Sequence, residues 1–205
     1  MVYKNFLLRV LFASIILSIY FIVSYFNFNL VFYLILLIYF IIVLEIFIYF
    51  KRYKLIPLIY IIFSLICFFT INFKDLKILD FNLLIIIIIT FDIFSYFIGT
   101  AVGKTKFINI SPKKTIEGLA GGIIASLLLA VIFSYYFGIL INIQLFAYIV
   151  LIIFSSLSGD LIESYFKRKN DLKNSSNILP GHGGVFDRFD SFLFSIIVYS
   201  VFINF

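Results

Sequence analysis

Charged residues are scarce in this chain of 205 residues: Asp, Glu, Lys and Arg make up 13% of it, whereas hydrophobic residues make up 64%. Soluble globular domains carry about 25% charged residues, so the composition excludes a soluble globule. Runs of about 20 apolar residues, each long enough to cross a hydrocarbon core of roughly 30 Å as a helix, follow one another along the chain. The sequence therefore predicts an integral membrane protein.

Cysteine and histidine each occur once, as Cys67 and His182. A single cysteine excludes an internal disulfide, and the apolar neighbours of Cys67 favour a packing role. One His and one distant Cys also cannot form a zinc site. A metal bound by this chain is expected to use carboxylate oxygens, which favour Mg²⁺ over Zn²⁺.

Glycine is absent from the first 98 residues, and all ten glycines follow them. Residues 1–90 are apolar runs joined by short polar loops, without a repeat, which indicates membrane anchoring and helix packing. Tight turns and close backbone contacts are confined to the second half. We therefore divide the chain into an N-terminal transmembrane region, residues 1–90, and a C-terminal transmembrane region, residues 91–205, in which any chemistry is expected.

The hydrophobic pattern predicts an all-α polytopic fold with about seven transmembrane helices. The predicted spans are 6–26, 28–50, 55–72, 79–101, 117–138, 143–163 and 187–204, and the second and fourth contain the acids Glu45 and Asp92. The first apolar run lacks a small-residue cleavage site, which indicates a retained helix and not a signal peptide.

Positive charges fall mostly on one side when the seven predicted spans alternate across the bilayer. Fourteen of the sixteen Lys and Arg residues lie on that side, and only Lys74 and Lys77 lie on the other. By the positive-inside rule the richer side is cytoplasmic. We expect a multi-pass protein of the cell (inner) membrane with its N-terminus and polar loops in the cytoplasm, where nucleotides and Mg²⁺ are available.

The second half contains three polar segments, of which the first begins with Asp92 in the fourth span. An acid at that depth is a functional candidate, and the alternative is a structural partner for a basic residue.

The second segment, residues 103–118, has four Lys residues among Gly, Ser and Thr, as a phosphate-binding loop would. A basic loop that attracts anionic lipid is the alternative there. Thr115 is the expected N-cap of the next helix, with Glu117 in its first turn.

The third segment, residues 158–190, holds half of the ten carboxylates and the single His. Helical spacing places one set of its polar residues on a single face of the sixth helix, namely Asp160, Glu163, Ser164 and Lys167. A second set, Asp187, Asp190 and Ser191, shares one face at the start of the seventh helix. The sequence PGHGG at 180–184 is a turn that lets the two acidic helix ends meet. Facing carboxylates among Lys and Arg suit divalent cations that hold a polyphosphate. A network of salt bridges is the alternative.

Several motifs match a known signature. They are SYFKR at 164–168, Lys173, LPGHGG at 179–184 and DRFD at 187–190, preceded by DIFSYFIG at 92–99 and SPKKTIEG at 111–118. In this order they resemble the phosphatidate cytidylyltransferase family, the bacterial CDP-diacylglycerol synthases, over about the last 115 residues. The family usually has Asp after the Lys that corresponds to Lys173, whereas this chain has Asn174.

The resemblance implies transfer of the cytidylyl group of CTP to phosphatidate, which gives CDP-diacylglycerol and pyrophosphate for phospholipid biosynthesis. It implies Mg²⁺ as the cofactor and leaves open a second, different cation. The implied metal ligands are Asp160 and Asp187, with Asp190 and Glu163 in support. Asp160 and Asp187 are also counted as catalytic, together with Lys167, Arg168 and Arg188. The implied substrate-binding residues are Ser111, Lys113, Lys114, Ser164, Lys173, His182 and Asp92.

The implied partners are CTP, phosphatidate, the lipid bilayer and a second copy of the chain in a homodimer. Nucleic acid is excluded, because the basic loops flank membrane spans and lack a dedicated binding domain. The alternatives are a CTP-dependent prenol kinase, a synthase for CDP-activated ether lipids, a non-catalytic relative and a membrane transporter. A transporter predicts polar residues throughout the membrane depth, whereas here they concentrate at one face.

Overall fold

A computed structural model of the chain describes residues 18–73, 77–108, 110–178 and 183–203, without the side chains of Pro112 and Lys113. Seven helices dominate these described residues, which confirms the predicted all-α fold. They are α1 (18–26), α2 (Phe28–Tyr49), α3 (Leu55–Phe69), α4 (Ile78–Ala101), α5 (Ile116–Tyr136), α6 (Ile143–Lys169) and α7 (Phe186–Ile203).

Four of the described helices, α2, α4, α5 and α6, are long and apolar enough to cross a membrane. Helix α3 is shorter, with 15 residues. Helix α7 has 18 residues and carries three charged residues near its start, Asp187, Arg188 and Asp190. The first predicted span, 6–26, lies partly outside the described residues. A multi-pass membrane protein is therefore supported, while the count of seven spans and their orientation stay predictions.

A short β-hairpin between α4 and α5 is the element that the hydrophobic pattern did not predict. Strands β1 (Lys106–Ile108) and β2 (Ser111–Thr115) pair antiparallel. Thr115 then caps α5, because its side-chain oxygen accepts a hydrogen bond from Gly118 N at 3.1 Å, as predicted. The Glu117 carboxylate accepts hydrogen bonds from the backbone N–H groups of Lys104 and Thr105. The hairpin is thus tied to the start of α5.

An aromatic chain packs the N-terminal half of the molecule against α7. Successive ring centroids lie 5.2 Å apart for Phe32 and Phe68, 5.2 Å for Phe68 and Phe73, 5.5 Å for Phe73 and Phe81, and 6.0 Å for Phe81 and Tyr199. Such distances suit edge-on and offset ring contacts. Tyr199 lies thirteen residues after the start of α7, so at about 1.5 Å per residue this packing is about 20 Å from that start.

Glycine permits a close backbone contact between α6 and α7. A Cβ added to Gly159 would lie 3.0 Å from the carbonyl carbon of Asp190 and 3.0 Å from Cα of Ser191, and would collide with the Asp190 carbonyl oxygen. These atoms belong to the backbone of α7 and cannot rotate away. Gly159 therefore sets how closely the two acid-bearing helices approach each other.

We expect Gly159→Ala to force α6 and α7 apart and to lower the free energy of unfolding by about 1–3 kcal/mol, the usual cost of overpacking. Thermal unfolding in detergent would measure the change. Ser158→Ala is the matched control, because Ser158 Oγ bonds only within α6 among the described residues, to Phe154 O at 2.7 Å. Equal melting temperatures for both variants would contradict the close contact.

Candidate metal and phosphate site

Carboxylates from two helices converge beside Gly159. Among the described residues, Asp160 and Glu163 of α6 and Asp190 of α7 each bring one oxygen within 4.8 Å of the others, and we call these three residues the carboxylate cluster. Glu163 is fully buried, Asp190 is 9% exposed, and the Asp160 side chain is 29% exposed. Carboxylates this close repel one another unless positive charge lies among them. Their hard oxygen atoms suit Mg²⁺ or a similar divalent cation.

Two lysines from different elements neutralise part of the carboxylate cluster. Lys167 forms ion pairs with Glu163, one turn away on α6, and with Asp187, whose Oδ1 lies 2.6 Å from its Nζ. Lys114 of β2 lies 2.6 Å from Asp160, measured from Nζ to Oδ2. Asp190 accepts a hydrogen bond from Ser191 N at 2.8 Å and has no ion pair among the described residues. A bound cation would balance the charge of this nearly buried group.

Asp187 has different surroundings from the carboxylate cluster. Within the described part of the chain it accepts hydrogen bonds from Ser175 N, Ser175 Oγ and Gly184 N at 2.8–2.9 Å, in addition to the Lys167 contact. Asp187 thus joins residues 170–178 to residues 183–185, the described parts of the connection that we call the α6–α7 loop, while Asp190 lies one turn further along α7, in the cluster. The role of Asp187 as a metal ligand stays a prediction.

Asp92 of α4 lies next to the carboxylate cluster. Its Oδ1 is 3.4 Å from Ser156 Oγ on α6 and 3.3 Å from Ser191 Oγ on α7. Both distances are near the limit of a hydrogen bond, so the contacts are weak. Asp92 as a whole residue is exposed, and its carboxylate faces Ser156 and Ser191. Ser164 is similarly close to the cluster, with Oγ 3.4 Å from Asp160 Oδ1.

Of the remaining predicted site residues that the structure describes, Arg168 lies at the end of α6, Lys173 in the loop after it, Arg188 near the start of α7 and Ser111 in β2. Arg168, Lys173 and Arg188 are exposed, and Ser111 is half-buried in β2. Arg168 Nη1 donates to Leu172 O at 3.1 Å. His182 lies outside the described residues, and so does the side chain of Lys113. Asn174, at the position where the family usually has Asp, is exposed.

Glu45 is the residue for which the motifs and their spacing suggested no role. It lies on α2 and is fully buried, and its Oε2 accepts hydrogen bonds from Val185 N at 2.8 Å and Phe186 N at 3.2 Å. Phe186 is the first residue of α7, and Val185 directly precedes it. The available signal was a carboxylate in an otherwise uncharged membrane span, which is a functional candidate by default.

We expect Mg²⁺ to raise the melting temperature of the protein, because binding to the folded state stabilises it. Asp190→Asn should abolish this shift, and without Mg²⁺ it should melt no lower than the wild type, since it removes a repelling charge. Asp171→Asn is the matched control: Asp171 is exposed, pairs with Arg52 at 3.4 Å and lies outside the carboxylate cluster. A full Mg²⁺ shift in Asp190→Asn would argue against a cation at the cluster.

Comparison with known proteins gives one family. The cytidylyltransferase family profile matches residues 5–205. The phosphatidate cytidylyltransferase of Bacillus subtilis (strain 168) is 51% identical over 106 residues, which cover 49% of this chain and 38% of that protein. Those of Staphylococcus haemolyticus (strain JCSC1435) and Staphylococcus aureus (strain COL) are 48% and 46% identical over 103 residues, which cover 49% of this chain and 39% of each relative.

The matched regions span about two fifths of the length of these relatives. The profile match also includes nearly all of the apolar first half, for which the motifs gave no information. The resemblance inferred from the motifs is confirmed: the chain belongs to the cytidylyltransferase family.

Proposed function

We propose that this protein transfers the cytidylyl group of CTP to phosphatidate, giving CDP-diacylglycerol and pyrophosphate. The observation that carries the proposal is the carboxylate cluster, with Lys114 and Lys167 beside it, at the ends of apolar helices. The similarity to proteins named phosphatidate cytidylyltransferase supports the choice of substrates.

The chemistry requires the neutralisation of negative charge. An oxygen of the phosphatidate phosphate forms a bond to the α-phosphorus of CTP, the bond from that phosphorus to the α–β bridging oxygen breaks, and pyrophosphate leaves. Both reactants are anions, so positioning and electrostatic stabilisation account for most of the catalysis. A protein nucleophile is not needed.

Asp160, Glu163 and Asp190 would hold the divalent cation, with Asp187 as a further candidate ligand. When bound, Mg²⁺ would offset the charge of the phosphate oxygens. Asp187 would keep the α6–α7 loop folded beside it through its bonds to Ser175 and Gly184.

The basic side chains would bind the substrates. Lys114 and Lys167, now paired with carboxylates, are close enough to the cluster to contact phosphate oxygens held there. Arg168, Lys173 and Arg188 would attract the triphosphate or the lipid phosphate to this end of the helices. Ser111, Ser164 and Asp92 would add hydrogen bonds, and Lys113 and His182 keep the binding roles that the motifs imply.

The membrane setting follows from the lipid substrate. Phosphatidate lies in the bilayer with its phosphate at the interface, and CTP is dissolved in water, so the reaction needs a polar site at the ends of membrane helices. We propose that these ends lie at the cytoplasmic face of the cell membrane, as the positive charges predict. A homodimer is a further prediction.

Cysteine labelling tests this orientation. In a Cys67→Ser background, Lys173→Cys should react with a membrane-impermeant maleimide only after the cell membrane is permeabilised. Leu140→Cys, in the exposed loop between α5 and α6, is the control and should react on intact spheroplasts. The reverse labelling pattern would overturn the proposed orientation.

The reaction is tested with purified protein, phosphatidate and CTP labelled at the α-phosphorus. We expect Mg²⁺-dependent transfer of the label to CDP-diacylglycerol, with one pyrophosphate per lipid product. Asp160→Asn and Asp190→Asn should lower the rate by about 100-fold or more, because each removes a carboxylate that holds the neutralising cation.

Asp171→Asn is the control for the loss of a nearby carboxylate and should keep the wild-type rate. Transfer to a prenol or an ether lipid, but not to phosphatidate, would replace the proposed acceptor. A folded protein that does not bind CTP would indicate a relative without this activity.

A further inference from the structure

A buried carboxylate of the N-terminal region reaches the start of α7. Glu45 lies near the end of α2 and is 140 residues before Val185, whose N–H donates to Glu45 Oε2 at 2.8 Å. The next N–H, that of Phe186, donates to the same oxygen at 3.2 Å. Glu45 is fully buried and forms no ion pair among the described residues. These N–H groups, together with the nearby side chains of Ser175 and Ser176, compensate in part for its lost hydration.

The first N–H groups of a helix lack partners within the helix and carry partial positive charge. A carboxylate that accepts from two of them satisfies these donors and is itself stabilised. Local side chains usually supply such a cap. Here a distant helix supplies it, which joins α2 to the start of α7.

Glu45 and Asp187 together fix three consecutive residues. The N–H of Gly184 donates to Asp187 Oδ2 at 2.8 Å, and the next two N–H groups donate to Glu45. The space beside Gly184 is small, because a Cβ added there would collide with Glu45 Oε1 and Ser175 Oγ. The backbone that leads into the acidic turn of α7 is thus held on both sides.

We propose that Glu45 is a positioning residue, which fixes the start of α7 and thereby holds Asp187 and Asp190 in their places in the site. It acts through backbone N–H groups, and none of its hydrogen bonds within the described residues reaches the carboxylate cluster. Its effect on catalysis rests on the proposed function, whereas its effect on the order of the α6–α7 loop does not. The N-terminal region then contributes to the geometry of the site as well as to anchoring.

The test compares Glu45→Leu, which removes the acceptor, with Glu45→Gln, which keeps an acceptor oxygen in the same place. Tyr39→Phe is the matched control, because Tyr39 also lies buried on α2 and its hydroxyl is 2.6 Å from Ser64 Oγ. Ser64 in turn donates to Leu193 O of α7, beyond residues 183–190, so this variant disturbs a contact on the route from α2 to α7 that does not involve the start of α7. Amide hydrogen exchange of the peptide containing residues 183–190 is measured for each protein in nanodiscs. The kcat and the KM for phosphatidate are measured in parallel.

In Glu45→Leu we expect faster exchange in this peptide and a kcat lower by about 10- to 100-fold, the scale of a displaced catalytic geometry, with little change in KM. Glu45→Gln should restore both protection and kcat, and Tyr39→Phe should keep both. If Glu45→Leu does not fold, Gly184→Ala carries the test, because its Cβ would displace the Glu45 carboxylate, and the same changes are expected.

Unchanged exchange in Glu45→Leu would overturn the proposal, whatever the activity. Faster exchange with an unchanged kcat would overturn the catalytic part. An equal loss of kcat in Tyr39→Phe and Glu45→Leu would show that Glu45 has no specific effect on the start of α7 and contributes only to the packing of α2. A wild-type protein that makes no CDP-diacylglycerol would refute the proposed function, while the exchange data would still decide whether Glu45 orders the loop.

Discussion

The close backbone contact of α6 and α7 at Gly159 is the constraint on which the candidate site depends. Only a residue without a side chain lets the helices approach until Asp160 and Glu163 face Asp190. Bringing these carboxylates together costs electrostatic free energy, which the nearby lysines offset only in part. Close packing thus produces the arrangement of negative charge that a divalent cation can stabilise.

The buried and half-buried carboxylates near the α6–α7 loop divide into two groups with different partners. The carboxylate cluster lies beside Lys114 and Lys167, whereas Asp187 and Glu45 accept hydrogen bonds from backbone N–H groups at residues 184–186. Asp187 also pairs with Lys167, which it shares with Glu163 of the cluster. The second group orders the backbone that carries the first. DRFD thus contains two acids one turn apart with different surroundings: Asp187 joins the loop to Lys167 of α6, and Asp190 lies in the carboxylate cluster.

Helix α7 is held near both ends by the N-terminal half of the molecule. At its start, Glu45 binds two N–H groups, and about 20 Å further along, the ring of Tyr199 packs against Phe81. Between these points, Ser64 of α3 donates to Leu193 O at 2.6 Å. The apolar first half therefore helps to fix the position of an acid-bearing helix. The predicted division at residue 90 separates the polar motifs from the apolar region, but residues on both sides of it support the site.

The sequence by itself determined the membrane class, the helical fold, the N-cap at Thr115 and the helical faces that carry Asp160, Glu163 and Asp190. Each depends on local composition or on the 3.6-residue period, which is read within a few turns of one segment. Only the tertiary structure decided that Lys114 pairs with Asp160, that Asp187 holds the loop and that Glu45 caps α7. The Lys114 and Glu45 contacts join residues that are far apart in the chain. Asp187 and Asp190 lie within one turn of α7 but have different neighbours. Helix packing therefore determines these contacts, and no local sequence pattern predicts them. The hairpin 106–115 also lacked a signal, because its strands are too short to show a period of two.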